Sequence, residues 1–174
     1  MALGATMRRF DLALADADRG VYEQLSWRVA QHPSESDRYL VARVLARALE
    51  HAEGLEFSKG GVSDGDEPAL VRRDLRGDLQ AWIEVGAPSA ERLHRASKAC
   101  PRVVVYTWTA DRIAEALAER PPFRAPELVE LPVEFLDALA GTLDRNNAWE
   151  LSVSGGVVYV AAGGATFEGA VRRL

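Results

Sequence analysis

The chemistry available to this 174-residue sequence is concentrated in a few polar side chains. Glu35 follows Pro33-Ser34, where an amphipathic helix is expected to open. Asp66 and Glu67 belong to the acidic run Asp64-Gly65-Asp66-Glu67-Pro68. Carboxylates this close repel one another unless a cation or solvent screens them. Glu84 lies in the otherwise apolar stretch Trp82-Ile83-Glu84-Val85, and a carboxylate in a buried strand needs a partner or a metal. Lys98 sits in the last turn of the next expected helix, after Arg92, His94 and Arg95, so one side of that helix is basic. Each residue also has a plain structural reading. An acid at a helix start and a lysine at a helix end complement the helix dipole. The acidic run reads equally well as an exposed turn, and Glu84 as the outward residue of a half-exposed sheet.

Other chemistries find no support. His32, His51 and His94 are scattered, with no zinc-binding spacing. There is no Gly-x-Gly-x-x-Gly, no phosphate loop and no Gly-x-Ser-x-Gly elbow, which argues against nucleotide-driven chemistry and serine hydrolysis. Cys100 is the single cysteine, which excludes an internal disulfide and fits a reducing cytoplasm. The net charge of −5 argues against sequence-blind coating of nucleic acid. No apolar run is long enough to cross a bilayer, and the first residues do not read as a signal peptide. The expectation is one soluble, intracellular domain spanning residues 1–174.

These side chains need a framework, and the pattern predicts a mixed α+β one. Phe10, Leu12 and Leu14 alternate, after an opposite phase over Leu3, Ala5 and Met7, as in a long strand with a bulge or strong twist. A turn over residues 16–20 and an alternating return strand through Leu25, Trp27 and Val29 complete a hairpin. Ser34 is expected to cap a helix with Val41, Val44, Leu45, Ala48 and Ala52 inward and Arg43, Arg47 and Glu50 outward. Short strands are expected over 55–59, 69–74 and 80–85, joined by tight turns. A helix over 90–99 capped by Ser89 and a fully covered strand over 102–106 follow. Tight turns imply an antiparallel meander, and the helix after it is a crossover that permits a parallel pair. Beyond it come a helix over 110–118, a strand over 127–131, a short helix from Pro132 to Leu143, and a closing hairpin over 151–153 and 157–160.

The blocks Gln31-His32-Pro33-Ser34-Glu35-Ser36-Asp37-Arg38, Asp64-Gly65-Asp66-Glu67-Pro68 and Trp82-Ile83-Glu84-Val85-Gly86-Ala87-Pro88 together resemble the YaeQ family of bacterial proteins. The opening Met1-Ala2-Leu3 and the turn from Asp16 to Gly20 fit as well. The resemblance implies a variant of the PD-(D/E)XK nuclease fold, with a helix, a three-stranded meander, a crossover helix and a fourth strand, plus added N-terminal and C-terminal hairpins. It also implies a Mg²⁺-dependent nuclease or phosphodiesterase. Glu84 then takes the third-strand carboxylate, Asp66 or Glu67 the second metal ligand, and Glu35 the helix carboxylate. The expected lysine two residues beyond Glu84 is replaced by Gly86, and Lys98 is the substitute the next helix offers. Arg92 and Arg95 would grip a phosphate backbone. The alternative is a nuclease-like protein that binds a protein or nucleic-acid partner without cutting.

Overall fold

The computed structural model describes residues 4–59 and 66–174. The expectations placed on Met1 to Leu3, Gly60, Gly61, Asp64 and Gly65 lie outside the described residues. The chain forms two compact units. One comprises Met1–Val41 and Leu131–Arg172, the other Ala42–Glu130 and Arg173–Leu174.

The first unit is built on a pair of 11-residue strands, β1 (Thr6–Asp16) and β2 (Val21–Gln31), joined at residues 17–20. They pair without a break from Thr6 opposite Gln31 to Asp16 opposite Val21, so the phase change before Phe10 needs no bulge. Later in the chain come α4 (Val133–Ala140), β8 (Asn146–Ser154), β9 (Val157–Ala162) and β10 (Ala165–Ala170). The sheet order is β10-β9-β8-β1-β2, with β8 parallel to β1. Phe10, Leu12, Leu14, Trp149 and Leu151 alternate onto one face and are buried, with Phe10 and Trp149 edge-to-face at 5.2 Å. The expected closing hairpin is therefore three strands, and its first member has 9 residues where three were expected over 151–153.

In the second unit, β3 (Leu55–Phe57), β4 (Leu70–Arg73) and β5 (Leu79–Val85) form the antiparallel meander the turns predicted. Helix α2 (Ala90–Ala99) then carries the chain to β6 (Val103–Thr107), which lies parallel to β5. Helix α3 (Ala110–Glu119) leads to β7 (Glu127–Glu130), parallel to β6, and the two-residue β11 (Arg172–Arg173) lies beside β7. Leu93 and Ala96 of α2 and Ile113 of α3 pack on Val103, Val105 and Leu128, with Trp82 against them. Trp82 and Glu84 thus face α2, on the opposite side of β5 from Ala81 and Ile83.

Helix α1 (Asp37–Leu49) begins in the first unit and ends in the second. Its start departs from expectation. Ser36, not Ser34, accepts from the Tyr39 amide at 3.1 Å, and Ser34 instead meets the His32 ring. Its outward face departs further. Every residue from Leu40 to Glu50 is buried, including Arg43, Arg47 and Glu50. The polar residues are accommodated by partners: Arg43 lies over the Phe57 ring, Arg47 meets His51, and Glu50 receives Tyr106 and Arg102. Charged groups that find such partners no longer mark a wet face.

Candidate functional site

Glu84 is the predicted position with the most constrained surroundings. It lies next to last in β5, opposite Val105 of β6, and is 5% exposed. The chain then turns at Gly86, whose φ of +92° suits a residue without a Cβ and whose amide bonds the Tyr106 carbonyl. Ser89 caps α2 by accepting from the Arg92 amide at 3.1 Å. This short connection sets Arg92, in the first turn of α2, directly over Glu84. Arg92 Nε donates to Glu84 Oε1 at 2.6 Å, and Trp82 Nε1 donates to the same oxygen at 2.7 Å. A cation in the first turn of a helix opposes the helix dipole, so the carboxylate beneath it offsets an unfavourable placement.

Arg92 also reaches the acidic segment. Its Nη2 donates to the Glu67 carbonyl oxygen, and Arg95, one turn on, lies 4.0 Å from Asp66. Glu84, Glu67 and Asp66 are thus gathered around the basic side of α2. They are gathered as partners of arginines, with Glu67 contributing its backbone. The Asp66–Arg95 pair is largely solvent-exposed and is worth at most about 1 kcal/mol.

The other two predicted residues have different local roles. Lys98 is exposed in the last turn of α2. Six residues separate it from Arg92, about 240° around the helix and about 9 Å along it, so it occupies a different face from the one over Glu84. Glu35 belongs to the first unit and precedes α1 instead of lying in it. Its Oε2 accepts from the His32 amide at 3.3 Å, its own amide donates to the His32 carbonyl, and its carbonyl accepts from Gln31 Nε2. Its buried carboxylate closes a local turn.

Whether these residues suit a divalent ion is decided by their donors. Mg²⁺ needs near-octahedral oxygen ligands and is usually held by one or two free carboxylates. Glu84 Oε1 is already shared by two donors, and Asp66 faces a guanidinium. Among the described residues, no three His, Cys, Asp or Glu side chains are placed to hold a metal ion. The described site does not fit Mg²⁺ as it stands.

A second polar cluster in the same unit escaped the sequence reading. Glu50 Oε1 accepts from the Tyr106 hydroxyl at 2.8 Å, and Arg102 Nη1 donates to Glu50 Oε2 at 2.7 Å. The other edge of Arg102 is bidentate on Glu127 at 2.8 and 2.9 Å, and Arg173 lies within 4 Å of both acids. One signal was available: a tyrosine inside the apolar run Val103-Val104-Val105-Tyr106 must find a partner for its hydroxyl.

The comparisons agree along nearly all of the chain. The family model described as YaeQ protein matches residues 1–171. The uncharacterised YaeQ protein of Escherichia coli K12 is 28% identical over 166 residues, covering 92% of this chain and 91% of that protein. The crystal structure of YaeQ protein from Pseudomonas syringae superposes with a TM-score of 0.90 at 32% identity, covering 98% of this chain and 96% of that one. That from Xanthomonas axonopodis pv. citri gives 0.87 at 33%, covering 97% of each. No helix among the described residues is long and apolar enough to cross a membrane. With its sequence matched over residues 1–171, and its fold matched to two solved relatives, the chain belongs to the YaeQ family.

Proposed function

We propose that this chain is a non-cutting interaction protein: a single YaeQ-like domain, residues 1–174, on a PD-(D/E)XK-like scaffold, working in the cytoplasm. Its element order through the meander, the crossover helix and β6 supports the scaffold. One observation carries the functional reading. The carboxylate at the third-strand position, Glu84, holds Arg92 at 2.6 Å where a nuclease would hold its metal. A guanidinium is a planar donor well matched to a carboxylate, and it occupies the oxygen a metal would need. The partner this favours is a protein over nucleic acid. Arg92 and Arg95, the expected phosphate grips, face groups of their own chain, and the net charge is −5.

A second reading is favoured by a different observation: Glu84, Asp66 and Glu67 lie within reach of one helix face. Under it, Asp66, Glu67 and Glu84 hold Mg²⁺ once Arg92 swings away, Glu35 joins them, and Lys98 assists. The ion would supply charge stabilisation for phosphodiester hydrolysis.

Incubation with single- and double-stranded DNA and RNA in millimolar Mg²⁺ or Mn²⁺ separates the two. The expected result is no product above the buffer control, with wild type and Glu84→Gln alike. Metal-dependent cleavage that disappears in Glu84→Gln overturns the interaction reading.

A further inference from the structure

The outward face of the first unit's sheet is floored by small side chains. In one row across the strands, Tyr22, Ala15, Ser152 and Tyr159 stand side by side on β2, β1, β8 and β9. In the next row Ala13, Glu150 and Ala161 are neighbours. The two tyrosines are three strand spacings apart, about 14 Å, with only a methyl and a hydroxymethyl between them. Their rings make the walls of an open trough of about 660 Å³. Tyr22 is 66% exposed and Tyr159 36%.

The trough has a sign. Its floor carries the Glu150 carboxylate, and among the described residues its lining includes no Lys, Arg or His. Glu150 rises from the floor and makes no ion pair or side-chain hydrogen bond among the described residues. An apolar occupant would strip water from that carboxylate and return nothing, which is costly. A second copy of the chain would set acid against acid, and nucleic acid is repelled for the same reason. A strand adds to a sheet edge, not to a face. A helix with its side chains is about 10–12 Å across, which fits between the tyrosines. Tyrosine faces also attract ammonium and guanidinium groups.

We propose that this trough docks a cationic amphipathic helix of a partner protein, with a Lys or Arg of the helix on Glu150 and its small residues on Ala13, Ala15 and Ala161. The site is separate from Glu84 and does not depend on how that residue is used.

The probe is an alanine-rich helical peptide with lysines along one face, titrated against the full chain by fluorescence anisotropy. Versions with glutamine and with glutamate in place of lysine accompany it. Saturable binding of the lysine peptide is expected, weakened at least tenfold in Glu150→Gln and in Tyr159→Ala. Glu53→Gln, exposed in the second unit, should leave it unchanged. Circular dichroism identifies any variant that fails to fold, and Glu150→Asp, which keeps the charge, should retain most of the binding. The proposal is overturned by no saturable binding, by equal binding of the lysine and glutamine peptides, or by indifference to Glu150→Gln. It is also overturned if the chain sediments as a dimer that Tyr22→Arg dissociates, because a second copy then occupies the trough.

Discussion

Glu50→Ala is expected to lower the unfolding free energy by about 3–5 kcal/mol, the cost of removing one partner of a buried charge network. The Glu50 carboxylate is almost fully buried and serves both Arg102 and the Tyr106 hydroxyl. Without it, that hydroxyl, wholly enclosed, is left with no acceptor at about 1–3 kcal/mol. Arg102 loses one of its two carboxylates and keeps Glu127. Tyr106→Phe removes the hydroxyl with its bond and should cost only about 1 kcal/mol. Urea unfolding of the two variants gives both numbers, and a Glu50→Ala loss below that of Tyr106→Phe would contradict the network.

The same cluster has a pH signature at each end. Burial, and then the Glu50 charge, push the Tyr106 hydroxyl well above its ordinary value of 10.0. A raised folded pKa gives stability that is complete below the unfolded value and is lost as pH rises past it. Wild type should therefore weaken above about pH 10 more steeply than Tyr106→Phe. The hydrogen bonds from Arg102, helped by its charge and that of Arg173, hold the Glu127 carboxyl below its ordinary 4.5 against the opposing effect of burial. A lowered folded pKa gives stability that is present above the unfolded value and is lost as pH falls through the folded one. Glu127→Gln should flatten the acid limb below about pH 4.5.

Arg92→Met is expected to cost about 2–4 kcal/mol, because it leaves the Glu84 carboxylate buried with Trp82 as its remaining donor among the described residues. Glu84→Gln alone leaves Arg92 partly solvated, its side chain being 20% exposed, and should cost less. The double variant should recover part of the Arg92→Met loss, with a coupling energy of about 1–3 kcal/mol. Strictly additive losses would mean that Glu84 and Arg92 do not hold one another.

Where the fold was legible, one local signal agreed with the next. Helix α2 was readable because Ser89 caps it, Leu93 and Ala96 fall on one face, and Pro101 follows its end. β6 was readable because an unbroken apolar run is what a strand covered on both faces requires. β8 was only partly readable. Ala148 to Val153 alternate cleanly, but Asn147 occupies a buried position ahead of them and looks like loop. It is accommodated by the nearby Asp144 amide and by the Arg9 carbonyl, and no local window contains the second. β10 gave no signal, because only Gly169 in it is buried.

The site divides in the same way. That Glu84 needed a partner followed from its apolar neighbours. That the partner is Arg92 did not, because the basic face of α2 reads as outward until the Gly86 turn folds the helix over the strand. The α1 arginines were misplaced for a related reason: charge predicts exposure only until a partner is supplied from elsewhere in the chain.

The most direct test is a crystal structure of the chain soaked in millimolar Mn²⁺, with anomalous data collected at the manganese edge. The account predicts no anomalous peak at bonding distance from Glu84, with Arg92 Nε still on its carboxylate. A manganese ion on Glu84 together with Asp66 or Glu67, and Arg92 turned away, would contradict it.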